Sequence, residues 1–246
     1  MIKIENVTKR FGAKTAVANL NLHIPKGELF VFLGPNGAGK TTTIKMLSGL
    51  LYPSDGTIRI KELDLANDSH IMGVKKIFSY IPDEPYLYDK LTGREFLHFV
   101  GDMYGMAREK VVEKVEDLLQ KFEASSYIDY LCETYSHGMK QRVVIASMLL
   151  HNPEVVVVDE PMVGLDPHSA RLFKNILREI TAQGTTVFMS THTLSVAEEL
   201  AHRVGIIFQG KLVALGTVVE LKEKYQHEGK TLEDLFIEIT GRNGGG

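Results

Sequence analysis

Residues Gly34 to Thr41 read GPNGAGKT and fit the spacing G-x-x-x-x-G-K-[ST], the arrangement that cradles a nucleotide phosphate chain. Gly34, Gly37 and Gly39 free the backbone to turn its amides inward around phosphate oxygens, and Pro35, Asn36 and Ala38 complete the loop. The apolar run Leu29 to Leu33 precedes the loop and a helical pattern follows it, so a helix N-terminus adds partial positive charge at the same point. Lys40 is then placed to reach the β and γ phosphates, and the Thr41 hydroxyl to meet Mg²⁺, an ion that takes only one or two protein oxygens beside phosphates and water.

A second constellation lies far downstream, where the apolar run Val155 to Val158 leads directly into Asp159 and Glu160. Ligands of open α/β sheets gather at the carboxyl ends of the strands, so a buried strand here delivers two carboxylates to the phosphate loop. Asp159 is suited to hold the Mg²⁺ water shell, and Glu160 to orient and polarise a water that attacks the γ phosphate. Successive strand side chains point opposite ways, which predicts that the two acids divide the work.

The elements that must position these residues are legible in outline. Alternating apolar residues at Ile2, Ile4 and Val7 and again at Leu20, Leu22 and Ile24, with a turn at Pro25 to Gly27, predict a small antiparallel β region. From about Asp83 to His151 the pattern is mostly helical, with Phe96, Phe99 and Val100 on one face and Val111, Val115, Leu118, Leu119 and Phe122 on another. Strand and helix patterns then alternate: strand Val155 to Val158, helix Pro167 to Ile180, strand Thr185 to Met189, helix Leu194 to Ala201, strand Val204 to Phe208 and, after a Gln209–Gly210 turn, Lys211 to Leu215. Such alternation implies a parallel sheet with helices on its faces. Thr231 and Asp234 open a capped amphipathic tail helix that reaches about Thr240, and Gly244 to Gly246 reads as a flexible end.

Composition narrows the classes. Hydrophobic content of 44% and charged content of 24% suit a globular chain with a sizeable core. A net charge of -3, from 28 basic and 31 acidic residues spread along the chain, carries no footprint for a nucleic-acid backbone. Cys132 is a single cysteine, the start MIKIENVTKRF places charges where a signal peptide needs apolar residues, and the longest apolar runs fall far short of the roughly 20 residues that cross a bilayer. A cytoplasmic location is expected, with any membrane role supplied by a partner.

Five ordered motifs, GPNGAGKTT at 34–42, YSHGMKQR at 135–142, VVVVDEP at 155–161, GLDP at 164–167 and STH at 190–192, resemble the nucleotide-binding subunit of ATP-binding cassette (ABC) transporters over essentially residues 1–240. The resemblance implies an α/β fold. It comprises a P-loop NTPase core with a mostly parallel sheet (1–82 and 152–216), an N-terminal antiparallel β region, an inserted α-helical subdomain (83–151), C-terminal helices (217–240) and a flexible tail (241–246). It also implies ATP and Mg²⁺ as cofactors, ATP hydrolysis, and a head-to-tail pair of cassettes, identical or related, with each ATP sandwiched between the two chains.

Carried over position by position, Thr42 joins the phosphate loop, and Ser136 and Gly138 belong to a signature loop that opens a helix over Met139 to His151 and faces the partner's phosphate. Asp166 resembles the residue that links the two sites, His192 the switch histidine at the γ phosphate, and Phe11, with Val17 nearby, the aromatic contact for adenine. Three positions depart from the family pattern. His137 stands for the first signature glycine, Met139 for a glutamine, and Asp83 for a glutamine that senses Mg²⁺ and the permease; a carboxylate at 83 can still reach the metal's waters. These departures resemble a branch that drives separate permeases exporting drugs, lipids, polysaccharides or ions, and the aromatic stretch within 83–105 (Tyr86, Leu87, Tyr88, Phe96) is the expected permease seat. The alternatives are a soluble cassette ATPase of translation, repair or cofactor assembly, and a metabolic kinase. The first usually carries tandem cassettes or long coiled coils, and Glu160 with the signature argues against the second.

Overall fold

The computed structural model describes residues 1–84, 86–162, 164–225 and 231–243. Strands β1 (Ile2–Phe11) and β2 (Lys14–Ile24) form a hairpin, and β3 (Leu29–Leu33) leads through the glycine-rich loop into α1 (Lys40–Leu47). Next come β4 (Asp55–Ile60), β5 (Leu63–Asp64), α2 (Asp68–Ile77) and β6 (Phe78–Ile81). The helices α3 (Gly93–Met103), α4 (Arg108–Lys121) and α5 (His137–Leu149) then separate β6 from β7 (Val155–Asp159). The chain closes with α6 (Pro167–Ala182), β8 (Thr186–Thr191), α7 (Leu194–Leu200), β9 (Arg203–Phe208), β10 (Lys211–Gly216), α8 (Val218–Lys224) and α9 (Leu232–Asn243).

Two sheets result. One is antiparallel in the order β2-β1-β4-β5, and the other runs β10-β9-β3-β8-β7-β6, parallel throughout except for its edge strand β10. The register decides where chemistry can occur, because Leu33 pairs with Thr191 and Asp159 with Ser190, which brings the carboxyl ends of β3, β8 and β7 to one edge. A β3–loop–α1 connection at that edge is the topology that binds phosphates.

Both faces of the parallel sheet are buried, so β3 and all of β7 before Asp159 are continuously apolar rather than alternately so. Val31, Val156, Val158 and Met189 pack on one face with α6 and the helices α3 to α5, while Phe30, Phe32, Val157 and Phe188 pack on the other with α1 and the antiparallel sheet. The expected α4 face is confirmed, with Val111, Val115, Leu118, Leu119 and Phe122 all buried in the first of these clusters. The α3 face is corrected: Phe96 and Val100 are buried but Phe99 is exposed, because it turns outward beside Tyr88.

Capping sets several boundaries. Thr92 and Glu95 form a reciprocal capping box at α3, as do Thr217 and Glu220 at α8. Helix α5 starts at His137, two residues before the expected start, because Ser136 is its N-cap and accepts the Met139 amide. The tail helix α9 runs to Asn243, past the expected end at Thr240, and Gly244 to Gly246 lie outside the described residues.

Candidate nucleotide site

The loop between β3 and α1 is shaped by close backbone approaches. A Cβ at Gly34 would stand 2.5 Å from the Ile207 carbonyl oxygen, and one at Gly39 would stand 2.6 Å from the Ala16 carbonyl oxygen with φ at +110°, so only glycine fits either position. No side chain caps α1, which leaves its first-turn amides to a ligand. A contribution that sequence reading missed is the Gln209–Gly210 turn. The Gly210 amide donates to the Ala38 carbonyl at 2.9 Å and the Gly210 carbonyl accepts the Ala18 amide at 2.8 Å, so the β9–β10 hairpin braces the loop from outside. Its only signal in the sequence was the turn dipeptide itself.

Lys40 is 6% exposed and its ammonium points back over the loop. It donates to the Gly34 and Pro35 carbonyls at 2.7 and 3.1 Å and pairs with Glu160 Oε1 at 3.2 Å. Glu160 Oε2 in turn accepts the His192 amide at 3.3 Å and lies 2.9 Å from His192 Nδ1. Lys40, Glu160 and His192, from three separate parts of the chain, therefore form one continuous polar chain.

The way the two acids are aimed differs from the strand alternation expected of them. The strand ends at Asp159, and Glu160 has a left-handed backbone with φ at +45°, so Glu160 is re-aimed by the turn rather than by the pleat. Both acids consequently serve the same edge of the sheet. Ser190 ties them together: its hydroxyl donates to Asp159 Oδ1 at 2.5 Å and accepts the Glu160 amide at 3.1 Å. Ser190 lay in a quoted motif, but only the β7–β8 register gives it this role.

Asp159 is 1% exposed, and its Oδ2 is buried without a hydrogen-bond partner at bonding distance. Burial raises its carboxyl above the usual range; the Ser190 hydrogen bond opposes the shift, the charges of Asp83 and Glu160 add to it, and the Thr41 hydroxyl again opposes it. An orphaned carboxylate oxygen with Thr41 and Asp83 at hand is a set of hard oxygen donors, the chemistry that fits Mg²⁺.

Lys40, Thr41, Asp83 and Glu160 border a cleft of about 610 Å³ whose walls also include Phe11 and Asn36, while Asp159 and His192 stand behind Thr41 and Glu160 and do not line it. Gly37, Gly39 and Thr42 also face it, as do Lys14 and Gln209, which the sequence reading did not select. Phe11 is half exposed at the mouth, with the Lys9 ammonium 5.2 Å from its ring centroid. Val17 is a correction. It has no exposed surface and packs against Gly39 from behind, so it supports the loop rather than lining the cleft.

Ser136, Gly138 and Asp166 are gathered elsewhere, at the adjoining N-termini of α5 and α6, and do not line this cleft. Asp166 caps α6 by accepting the His168 and Ser169 amides at 2.9 and 3.0 Å, and a Cβ at Gly138 would stand 3.5 Å from its Oδ2. The carboxyl of Asp166 is held down at about 2, chiefly by the Ser169 hydroxyl.

The ABC transporter family model matches residues 17–163. The chain is an ABC transporter ATP-binding subunit. It is 37% identical over 227 residues to the bacitracin transport ATP-binding protein BcrA of Enterococcus faecalis, covering 91% of this chain and 71% of that protein. It is 36% identical over 221 residues to the linearmycin resistance ATP-binding protein LnrL of Bacillus subtilis, covering 90% and 70%. Among solved structures, an ATP-binding subunit of an ABC transporter superposes with a TM-score of 0.90 at 30% identity, over 98% of this chain and 99% of that one. A dimeric ATP-binding cassette in a post-hydrolysis state bound to ADP and Pi superposes with a TM-score of 0.80 at 25% identity, over 89% and 99%. The subunit is accordingly an ATPase. Among the described residues no helix is long and apolar enough to cross a membrane.

Proposed function

We propose that this ABC subunit binds Mg-ATP in the cleft above β3 and that two copies, or this chain and a related cassette, close head to tail around two nucleotides to drive an exporter permease. The observation that carries the reading is the division of the polar residues into two half-sites: Lys40 and Glu160 in the cleft with His192 bonded to Glu160 beside it, and the α5 N-terminus with Ser136 and Gly138 on a separate surface. Neither half encloses a triphosphate, and a two-fold pairing brings one half from each chain together.

In this reading the loop amides and Lys40 hold the β and γ phosphates, and adenine stacks on the exposed ring of Phe11. Thr41 and Asp159, with Asp83 through water, hold Mg²⁺, which when bound neutralises phosphate charge. Glu160 accepts a proton from the attacking water, and His192 keeps that carboxylate oriented through its Nδ1 and amide. The partner's Ser136 hydroxyl and the amides of its α5 first turn complete the γ-phosphate shell.

Export is supported by the relatives, whose names concern resistance to linearmycin and transport of bacitracin. The permease seat is the exposed cluster Tyr86, Tyr88, Phe99 and Met103. Tyr88 sits 5.7 Å, ring to ring, from both Tyr86 and Phe99, while Leu87 and Phe96 are buried beneath. Exposed aromatic and methionine side chains of this kind suit the centre of a protein interface. The subunit then sits on the cytoplasmic face of the membrane. The test is isolation of the tagged full-length chain from detergent-solubilised membranes of its own cells. Recovery of a multi-spanning partner is expected, and recovery of a partner-free protein contradicts the reading.

A further inference from the structure

The sequence marks His137 as unusual in its motif, and the structure sets it beside a relay that the half-site description does not use. Arg142, in the second turn of α5, donates through Nε and Nη2 to the Ser169 hydroxyl at 3.3 and 3.0 Å. That hydroxyl donates to Asp166 Oδ2 at 2.6 Å. Ser169 is 4% exposed, and its single proton goes to Asp166 while its lone pairs receive the guanidinium, so each of its polar valences is used. The far side of Arg142 is anchored by the Phe122 carbonyl at 3.1 Å and by Glu123.

A second contact joins the same two segments. The His137 ring lies against Gly164, so close that a Cβ there would stand 3.0 Å from Nε2. Gly164 has φ at +76°, which glycine adopts freely. Gly138 rests on Asp166 between these two contacts. The N-terminus of α5 and the turn that enters α6 are thus joined at three successive points.

We infer that Ser169 is a positioning residue which, together with the His137–Gly164 contact, makes the signature end of α5 and the Asp166 carboxylate move as one unit. Asp166 Oδ1 already caps α6 through two backbone amides, so Oδ2 is the oxygen whose direction depends on Ser169. Resting on the head-to-tail reading above, the consequence is coupling. When α5 engages the nucleotide held by one partner site, Asp166 is carried with it, and the two sites of the dimer cease to be independent.

The test uses the full-length chain and measures ATP hydrolysis against ATP concentration, with Mg-ATP affinity measured separately by calorimetry. Wild type is expected to show a Hill coefficient above one, bounded by its two sites. Ser169→Ala leaves the α6 cap intact, so it is expected to keep the melting temperature and the binding affinity while the Hill coefficient falls to one and kcat drops several-fold. Ser169→Thr is expected to restore both. His137→Ala, at an exposed position, is expected to shift the Hill coefficient in the same direction. Hyperbolic kinetics in wild type, or unchanged cooperativity and kcat in Ser169→Ala and His137→Ala, overturns the inference alone. Failure of Glu160→Gln to form an ATP-dependent dimer overturns the head-to-tail reading as well.

Discussion

Replacing Glu160 by glutamine exchanges one carboxylate oxygen for an amide nitrogen at the centre of the Lys40–Glu160–His192 chain. The side chain keeps its shape; with its amide oxygen facing the Lys40 ammonium, its NH₂ group faces His192 Nδ1, and the His192 backbone amide loses the acceptor that Oε2 supplied. Lys40 retains the Gly34 and Pro35 carbonyls, so the loop is expected to stay folded. What the proposed role says is lost is the base. General-base removal costs roughly 10²- to 10⁴-fold in kcat, or about 3–5 kcal/mol of barrier. With hydrolysis slowed, ATP stays bound, and saturation at about 100 times Kd adds ~2.7 kcal/mol to folding stability. At ~2–4 °C per kcal/mol for a chain of this size, the melting temperature is expected to rise by roughly 5–10 °C on adding Mg-ATP. Phosphate release measures the first quantity, and thermal melts with size-exclusion chromatography in ATP measure the second, where a dimer peak is expected to accumulate. Turnover within about tenfold of wild type would refute the role given to Glu160, whatever the melts showed.

Three further outcomes are expected. Gly34→Ala forces a Cβ to 2.5 Å from the Ile207 backbone and is expected to displace the loop, weakening Mg-ATP binding by at least about tenfold with loss of a few degrees in melting temperature; unchanged binding would show that the loop is not held by this contact. Tyr88→Glu with Phe99→Glu places charges in the exposed aromatic cluster and is expected to abolish recovery of the permease while leaving soluble ATPase activity intact; co-purification at wild-type yield would move the permease seat elsewhere. His151 is stacked at 3.7 Å on Tyr104, and burial lowers its pKa to about 4 from 6.5. Because the folded state disfavours the proton, its contribution is fully present above pH 6.5 and is lost as pH falls toward 4, on the order of 3 kcal/mol at most. His151→Phe keeps the stack and is expected to flatten that part of the stability–pH curve in urea titrations at pH 7 and pH 4.5; parallel curves for the two proteins would remove His151 as the cause.

The phosphate loop was legible because its constraints are local. Glycine where the backbone approaches closely, and a lysine and a hydroxyl at a helix start, leave their mark in consecutive letters. The apolar strands were legible for a similar reason, since β3, β7 and the middle of β8 are buried on both faces and admit little but Val, Leu, Phe and Met. What escaped depends on residues distant in sequence. The Gln209–Gly210 brace exists only because β9 pairs with β3, and Ser190 serves both acids only because β7 and β8 are in register. Glu160 escaped the alternation rule because its left-handed backbone takes it off the strand. Val17 is expected beside the adenine contact because the family resemblance pairs it with Phe11, yet in β2 it points to the core. Phe99 fits the apolar period of α3 and is exposed all the same, because spacing alone does not separate a ring at the edge of the apolar face from one inside it.

The most direct measurement is the enthalpy of Mg-ATP uptake by the folded wild-type chain and by Lys40→Ala in the same calorimeter. A charge-assisted contact to phosphate contributes about 1.5–3 kcal/mol, so wild type is expected to bind saturably, one nucleotide per chain, and the variant to bind roughly 10- to 100-fold more weakly. No heat of binding from well-folded wild type, or equal affinity in the two proteins, would contradict the assignment of the loop at residues 34–41 as the phosphate grip.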